Sequence, residues 1–211
     1  DRLSVTGSPG QQAVRARVGA ATAGDRAATR AALGVGAGER LLLVVTKHTQ
    51  IRRVFPSLVR VVSTLEGTRL VVKCHPAETA EPYVRDAGGS PAVTIAPASV
   101  DLAALLSVAT AVVTVNSTVA IDAMPLGVPA LVVDLPNNLS PFVEAGVMAG
   151  ASSLDELGPA LHRLLHDEAA VASMRARQQA FLAEFGGPTE GAAVRAAGEV
   201  LALAGRFGAG V

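Results

Sequence analysis

The chain has 211 residues, half of them hydrophobic and only 17% charged, so it is long enough and apolar enough to bury the core of one α/β domain. Basic and acidic residues balance at 18 each, which gives no electrostatic reason to expect binding to nucleic acid or to an anionic membrane surface. The single cysteine, Cys74, excludes an intramolecular disulfide bond and a cysteine-built metal site, and it fits a reducing cytoplasm.

No apolar run reaches the roughly 18 residues that a membrane-spanning helix needs, and no signal peptide opens the chain. The sequence starts abruptly with DRLSVTGSPG, which reads as the middle of a strand and its turn. We therefore expect this chain to be part of a longer protein.

Short apolar, β-branched segments alternate with Ala- and Leu-rich segments, which predicts alternating strands and helices. The strands are predicted at 2–5, 40–46, 69–74, 93–96, 111–116 and 130–135. The helices are predicted at 11–21, 25–33, 55–66, 80–87, directly after Asp101, and at 154–167, 168–185 and 189–205. Turn and cap residues set several boundaries: a turn at 7–10, N-caps at Asp25 and Asp101, and a stop at Gly34.

The predicted strands are apolar without polar alternation, which is typical of strands covered on both faces in a parallel sheet. Their alternation with helices predicts an α/β fold with a doubly wound parallel sheet. From about residue 154 onward the pattern is helical only. We therefore expect one Rossmann-like domain over 1–167 and a helical C-terminal tail over 168–211 that packs on it.

Polar residues follow four of the predicted strands. In an open parallel sheet, ligands bind outside the carboxyl ends of the strands, where the strand order reverses. The polar residues at these ends are Thr46, Lys47, His48, Thr49 and Gln50; Lys73, His75 and Pro76; Asn116, Ser117 and Thr118; and Pro136, Asn137, Asn138 and Ser140. Both lysines of the chain are among them, and an ammonium is a compact, flexible cation. The sequence predicts a ligand site on this rim.

Each group of rim residues also has a purely structural interpretation. Residues 116–118 can simply cap a helix, although the same free N–H groups and the helix dipole also bind phosphate oxygens. His75 and Pro76 can form a rigid turn, and the segment 47–48 can be an ordinary solvated loop.

Two further histidines, His162 and His166, lie four residues apart on a predicted tail helix. That spacing suits metal binding, but nothing nearby in the sequence completes a set of ligands. We predict a solvated helix face there, and neither a metal nor a cofactor for this chain.

Asp122 is an acid on an otherwise apolar helical stretch, four residues beyond Thr118 and therefore on the same helix face. A partly buried carboxylate needs hydrogen-bond donors, and the two hydroxyls of a ribose supply them in many nucleotide sites. The alternative is that Asp122 pairs with a neighbouring arginine on the helix surface.

The stretch AVVTVNSTVAIDAMPLGVPALVV, followed by PNNLSPFVEAG, resembles the donor-binding core of the C-terminal domain of GT-B-fold nucleotide-sugar enzymes. The resemblance covers roughly residues 2–155 and implies that Asp122 holds the donor ribose and that 116–118 bind its diphosphate. VTGSP resembles the segment that enters this domain from an N-terminal acceptor domain, which would then lie outside this chain.

Two branches of that superfamily compete. Lys73-Cys74-His75-Pro76 resembles the Lys-x-His-Pro stretch of capsule and teichoic-acid polymerases, in which His-Pro serves the donor nucleotide. Thr46-Lys47-His48 resembles the start of the Thr-x-His-Arg-Arg-Glu-Asn loop of non-hydrolysing UDP-N-acetylglucosamine 2-epimerases, and 143–146 resembles their Glu-Ala-Gly stretch. Residues 49–52 depart from that loop, which counts against epimerase chemistry.

The resemblance implies a transferase that uses a UDP-, CDP- or CMP-linked sugar or polyol in cell-envelope polysaccharide synthesis in a bacterial cytoplasm. An epimerase and a non-catalytic nucleotide-sugar-binding module are the alternatives. Its partners would be the nucleotide-sugar and its own N-terminal domain, through which it can associate peripherally with the inner membrane. Because the reaction needs both domains, we expect this chain alone to be inactive.

The implied roles divide the rim residues into three groups. The catalytic residues are His48 and His75. The residues that bind the nucleotide and its phosphates are Lys47, Lys73, Pro76, Asn116, Ser117, Thr118 and Asp122. The residues that face the sugar and the cleft are Gln50, Asn137, Asn138, Ser140 and Glu144.

Overall fold

Six parallel strands form a single sheet in the computed structural model, which describes residues 3–46, 50–185, 187 and 190–208. The strands are β1 (Arg40–Val45), β2 (Thr68–Lys73), β3 (Val93–Ile95), β4 (Ala111–Thr114), β5 (Ala130–Val133) and β6 (Ala149–Ala151). Their order across the sheet is β3-β2-β1-β4-β5-β6.

Helices cover both faces of this sheet. They are α1 (Pro9–Ala20), α2 (Ala23–Ala32), α3 (Phe55–Val62), α4 (Glu81–Ala87), α5 (Leu102–Val108), α6 (Val119–Ala123), α7 (Ser140–Glu144), α8 (Leu154–His166), α9 (Glu168–Phe185) and α10 (Ala192–Gly208). None of the helices in the described ranges is long and apolar enough to cross a membrane.

The central strands are buried on both faces because nearly all side chains in the middle of each strand are apolar. In β1, Leu42 and Val44 join a core with α3, α4 and α8, while Leu41 and Leu43 join a second core with α5 and α6. All four side chains are completely buried. Burying such a side chain stabilises the fold by roughly 1.5–3 kcal/mol. The two cores confirm the predicted doubly wound α/β fold.

The strand order reverses between β1 and β4. From β1 the chain steps outward to β2 and β3, then returns to the other side of β1 and steps outward again through β4, β5 and β6. Val44 of β1 pairs with Val113 of β4, so the carboxyl ends of these two strands lie side by side. The segments that leave them must diverge, which opens a crevice at this point of the rim.

The start of the chain differs from the sequence prediction. Residues 3–5 form no strand, and Leu3 and Val5 are 89% and 68% exposed, because an apolar pattern forms a strand only where a neighbouring strand can pair with it. The predicted turn at 7–10 is the start of α1 instead. Ser8 caps that helix by accepting a hydrogen bond from the Gln11 N–H at 3.3 Å.

Asp25 is not the N-cap of α2. Thr22 holds that position, and Asp25 is the third helical residue of a capping box, in which its Oδ2 accepts from the Thr22 N–H at 2.9 Å. Sequence reasoning placed the N-cap three residues late because both residue types are good N-caps. Asp101, by contrast, caps α5 as predicted by accepting from the Ala103 N–H at 3.1 Å.

Two short elements, β6 and α7, were not predicted. The strand sequence Ala-Gly-Ala has no β-branched residue, so its composition does not indicate a strand. Gly150 is nevertheless required there, since a Cβ atom would lie 2.6 Å from Val143 Cγ1 and 2.7 Å from Leu135 Cδ1.

Helix α9 contacts the loops that follow α6 and α7. Arg175 Nε donates to Gly127 O at 2.8 Å, Arg177 Nε donates to Gly146 O at 2.7 Å, and the buried Gln178 donates through Nε2 to Val147 O at 2.9 Å. These three carbonyls lie in loops outside the sheet, so no strand can donate a hydrogen bond to them, and side chains of α9 do so instead.

We expect Gly150→Ala to lower the free energy of unfolding by about 1–3 kcal/mol, the usual cost of overpacking a core site. The matched control is Gly19→Ala, because Gly19 lies in α1 and its added Cβ would meet no atom within 4 Å. That variant should be as stable as the parent or more stable by up to about 1 kcal/mol, since alanine favours a helix. Urea unfolding of both variants measures the difference, and equal stabilities would contradict the close packing at β6.

Candidate functional site

A cavity of about 330 Å³ opens at the carboxyl edge of the sheet, where the strand order reverses. Its lining comes from the segments that follow β1, β4 and β5: Gln50, Arg53, Val115, Asn116, Asp134, Pro136 and Asn137. The structure thus brings together rim residues from three of the four segments that sequence reasoning singled out.

One polar atom in this cavity wall has no partner. Asn116 Oδ1 is buried, and no hydrogen bond to it exists within the described part of the chain. A buried polar atom without a partner costs about 1–3 kcal/mol, and such atoms are otherwise rare in folded proteins. Since this atom is buried, a ligand O–H or N–H group satisfies it only if the Asn116 side chain turns toward the cavity.

Arg53 and Asp134 add opposite charges to the lining. The Arg53 side chain is exposed at the end of a 3-10 turn, Ile51–Arg53. Asp134 has a φ of 59°, an unusual backbone conformation for a residue other than glycine, and such residues concentrate at ligand sites. Sequence reasoning named neither residue. The available signal for Arg53 was the single Arg-Arg pair of the chain, at 52–53.

A second group of polar side chains joins the ends of β1 and β2. The buried Thr46 hydroxyl donates to Glu78 Oε2 and accepts a hydrogen bond from the His75 N–H at 2.8 Å. The Tyr83 hydroxyl donates to Glu78 Oε1 at 3.4 Å. Burial, and then the charge of Glu78, raise the pKa of Tyr83 to about 12, so its hydroxyl stays protonated. Neither Glu78 nor Tyr83 was predicted from the sequence.

The His75 ring is oriented by its own backbone turn. Its Nδ1 accepts a hydrogen bond from the Ala77 N–H at 3.1 Å, which requires an unprotonated Nδ1. In this arrangement the ring proton is on Nε2. Pro76, the next residue, is exposed.

Lys73 lies at the end of β2, and its ammonium contacts the loop between β3 and α5. The Nζ atom donates to Ala98 O at 2.6 Å and to Pro97 O at 3.2 Å. An ammonium has three hydrogens, so these two carbonyls leave one for a ligand. The predicted role of Lys73 in phosphate binding stays a prediction.

The turn at 116–118 uses part of its hydrogen-bonding capacity internally. Thr114 Oγ1 accepts from the Ser117 N–H at 2.9 Å, and Ser117 Oγ accepts from the Val119 N–H at 3.3 Å. Ser117 is buried, so these contacts favour the structural interpretation for it. Thr118, just before α6, is exposed. Asn116 and Thr118 are the members of this turn that a ligand can reach.

Asp122 is partly buried on α6, next to Gln11 of α1. Burial raises the pKa of its carboxyl, and a hydrogen bond with the Gln11 side chain partly opposes that shift. None of the ion pairs in the described ranges involves Asp122, so its partner is an amide and not the arginine that the alternative required. It does not line the cavity at the strand ends.

Of the remaining cleft residues, two make hydrogen bonds within their own loop and two are exposed. Asn137 supports its own loop: Nδ2 donates to Val133 O at 3.1 Å, and Oδ1 accepts from the Leu139 N–H at 2.9 Å. Ser140 Oγ accepts from the Asn137 N–H at 2.9 Å. Asn138 and Glu144 are exposed.

Three of the predicted rim residues, Lys47, His48 and Thr49, lie outside the described residues. His162 and His166 stack with ring centroids 4.8 Å apart and are exposed, as predicted for a solvated helix face. Within the described ranges, no group of three or more His, Cys, Asp or Glu side chains is placed to hold a metal ion.

No model of a known protein family matches the sequence, and no curated protein matches it. Solved structures do match the fold. The wall teichoic acid polymerase TagF is 11% identical with a TM-score of 0.67, over 96% of this chain and 50% of that one. The C-terminal CMP-Kdo binding domain of WaaA from Acinetobacter baumannii is 14% identical with a TM-score of 0.60, over 80% of this chain and 98% of that one.

The UDP-GlcNAc 2-epimerase from Neisseria meningitidis, solved with UDP-GlcNAc bound, is 15% identical with a TM-score of 0.65, over 81% of this chain and 48% of that one. The chain thus spans about half the length of the TagF and epimerase structures. At these identities the likeness concerns the fold. The chain has the fold of the C-terminal domain of GT-B enzymes, as the sequence resemblance implied.

We expect Asn137→Ala to lower the free energy of unfolding by about 1–3 kcal/mol, because it leaves the Leu139 N–H and the Val133 carbonyl without their partner. Asn138→Ala removes the same side chain from an exposed neighbouring position and should change stability by less than about 0.5 kcal/mol. Urea unfolding distinguishes the two variants. If both were equally stable, the Asn137 side chain would not support this loop.

Proposed function

We propose that this chain is the donor-binding domain of a bacterial, cytoplasmic transferase that uses a nucleotide-activated sugar or polyol in cell-envelope polysaccharide synthesis. The observation that carries the proposal is the cavity of about 330 Å³ at the switch point of a GT-B C-terminal fold. That cavity combines a cation, Arg53, with an unsatisfied buried acceptor, Asn116 Oδ1.

Arg53 suits the diphosphate of the donor. A guanidinium presents paired N–H groups that match phosphate oxygens, and it is charged at every relevant pH. A departing nucleotide phosphate must be stabilised as its charge builds up, and fixed cations do this without a metal ion. Lys73, with one N–H left by Pro97 and Ala98, is a second cation on the same rim.

Asn116 suits a hydroxyl or an N–H group of the ligand. Its unpartnered atom is an acceptor, but the amide nitrogen of the same side chain is a donor, and phosphate oxygens accept from it. Asn116 therefore keeps its proposed contact with the diphosphate through Nδ2, and Oδ1 is the atom that a hydroxyl or an N–H group would satisfy. In this proposal, Arg53 is a second contact with the phosphates.

Asp122 is proposed to bind the ribose hydroxyls from α6. Its carboxylate is partly buried, and burial already disfavours its charged form, so two added hydroxyl donors would relieve that cost. Gln11 is its neighbour in this structure, and reorientation of that amide is needed if both carboxylate oxygens are to reach a ribose.

His75 is proposed to assist the departing phosphate through Nε2, since Nδ1 is engaged with Ala77. The roles that the resemblance implies for His48 and Lys47 stay proposals. Two of the similar structures are an epimerase with UDP-GlcNAc bound and a CMP-Kdo binding domain, and both ligands are pyrimidine nucleotide-sugars. We propose a pyrimidine nucleotide for this chain too.

An epimerase is the second candidate, since the fold is as similar to a UDP-GlcNAc 2-epimerase as to the transferases. Residues 49–52 still depart from the epimerase loop, although that segment leads to Arg53 in the cavity. The N-terminal half distinguishes the two: two or three acids on its cleft face would favour the epimerase, and an acceptor-binding surface with one base would favour the transferase.

Isothermal calorimetry with UDP, CDP, CMP and GDP tests the nucleotide assignment. We expect UDP or CDP to bind best, and Arg53→Ala to weaken that binding about ten-fold or more, since a hydrogen bond to a charged group contributes roughly 1.5–3 kcal/mol. The control is Arg60→Ala, because Arg60 is an exposed arginine on α3 and does not line the cavity. Equal or undetectable binding of all four nucleotides would refute the proposed function.

Asp122→Asn should weaken binding of the same nucleotide about ten-fold, because one acceptor oxygen becomes a donor. Without nucleotide, the variant should be at least as stable as the parent at pH 7. Burial raises the pKa of Asp122, so the folded state favours the protonated acid, and the parent loses stability as the pH rises through that pKa. The stability difference should therefore grow between about pH 4 and pH 7. Lost stability with unchanged affinity would make Asp122 a structural acid.

A further inference from the structure

Glu78 connects the ends of β1 and β2 without lining the cavity. We infer that Glu78 is a positioning residue that holds His75 in place through the hydroxyl of Thr46. The effect on nucleotide binding rests on the function proposed above, whereas the effect on the His75 ring does not.

The Thr46 hydroxyl connects Glu78 to His75, and it has a single hydrogen to donate. It gives that hydrogen to Glu78 Oε2, so its lone pairs face the His75 N–H, which donates to it at 2.8 Å. Thr46 is 1% exposed, so water cannot replace either contact. Glu78 thus orients the Thr46 hydroxyl, which also hydrogen-bonds with Tyr83, and this hydroxyl is one of the contacts that hold the backbone of His75.

Glu78 is itself held from the opposite side. The Tyr83 hydroxyl donates to its second oxygen, Oε1, at 3.4 Å. Tyr83 is 1% exposed and packs edge-to-face against Phe55, with ring centroids 5.2 Å apart. Its raised pKa, about 12, keeps it a donor at every physiological pH. Two rigid donors on two different segments therefore fix one carboxylate.

His75 is held at three of its polar atoms. Its N–H donates to Thr46 at 2.8 Å, its carbonyl accepts from the Glu78 N–H at 2.8 Å, and its Nδ1 accepts from the Ala77 N–H at 3.1 Å. The last contact selects the tautomer with the proton on Nε2. A shift of the backbone at His75 moves the turn that makes this contact, so the tautomer reports on the position that Glu78 maintains.

The chemistry explains why an acid occupies this position. Both of its side-chain partners are hydroxyls that donate, and a carboxylate offers an acceptor to each. Glutamine has the same shape but offers one acceptor and one donor group. In Glu78→Gln, the amide NH2 group cannot accept, so one of the two hydroxyls loses its acceptor. If the Thr46 hydroxyl turns its hydrogen toward His75, its oxygen no longer accepts the hydrogen bond from the His75 N–H.

The test is nitrogen-15 NMR of the imidazole rings at about pH 8, where an ordinary imidazole is neutral. The His75 signals are assigned by their loss in His75→Gln. We expect the parent to show the tautomer with the proton on Nε2, and Glu78→Gln and Thr46→Val to show a mixture of the two tautomers. Both variants should also bind UDP or CDP about ten-fold more weakly. Thr46→Ser keeps the hydroxyl and should therefore keep the tautomer and the nucleotide affinity of the parent.

Glu81→Gln is the matched control, since it makes the same chemical change at an exposed acid on α4, three residues further on. It should leave the tautomer and the affinity unchanged. An unchanged His75 tautomer in both Glu78→Gln and Thr46→Val would overturn the inference. If Glu78→Gln does not fold, the comparison of Thr46→Val with Thr46→Ser decides alone. If the tautomer changes in the two variants but the parent chain binds no nucleotide, the positioning role is supported and the proposed function is refuted.

Discussion

Burial of the sheet on both faces is the constraint on which the rest of the structure depends. The strands β1, β2, β4 and β5 expose no polar side chain to either face over most of their length, so helices must cover both sides. In an open parallel sheet, right-handed crossovers place helices on both faces when the chain winds outward from the middle in both directions. The crevice between β1 and β4 is the direct consequence, and the cavity lies there.

The same constraint explains the arrangement of polar groups on the rim. Loops that leave buried strands carry backbone groups that the sheet no longer satisfies, so much of the rim chemistry is structural. Asn137, Ser117 and the pair Thr46–Glu78 all satisfy neighbouring groups inside the protein. Asn116 Oδ1, by contrast, is one of four buried side-chain atoms without a partner in the described part of the chain, and it belongs to a residue that lines the cavity.

The two polar groups of the rim therefore have different physical characters. The cavity between β1, β4 and β5 has an open cation, an unsatisfied acceptor and an unusual backbone conformation at Asp134. The network around Glu78 is closed, with each described hydroxyl engaged on a rigid partner. A site that binds and releases a nucleotide needs both, since a ligand pocket keeps its shape only if its supports do not move.

Periodicity was sufficient to predict the fold class, because apolar runs of strand length have few other solutions in a domain of this size. It failed where the signal was local and ambiguous. Residues 3–5 have a strand-like pattern but no strand beside them, whereas β6 pairs with β5 although its sequence has no strand-like pattern. Residues that follow strands were also predictable as rim residues, since the ends of parallel strands meet at one edge.

The sequence by itself determined that the chain is a doubly wound α/β domain with polar residues on one rim, because hydrophobic periodicity and the alternation of strands and helices are properties of the chain alone. Only the tertiary structure decided which rim side chains support their own loops and which have a polar atom without a partner. Asn116 and Asn137 are the same residue type at two strand ends, yet one has an unpartnered oxygen and the other supports its own loop. The difference lies in hydrogen-bond partners brought together by the turns of the backbone, and composition and spacing do not encode them.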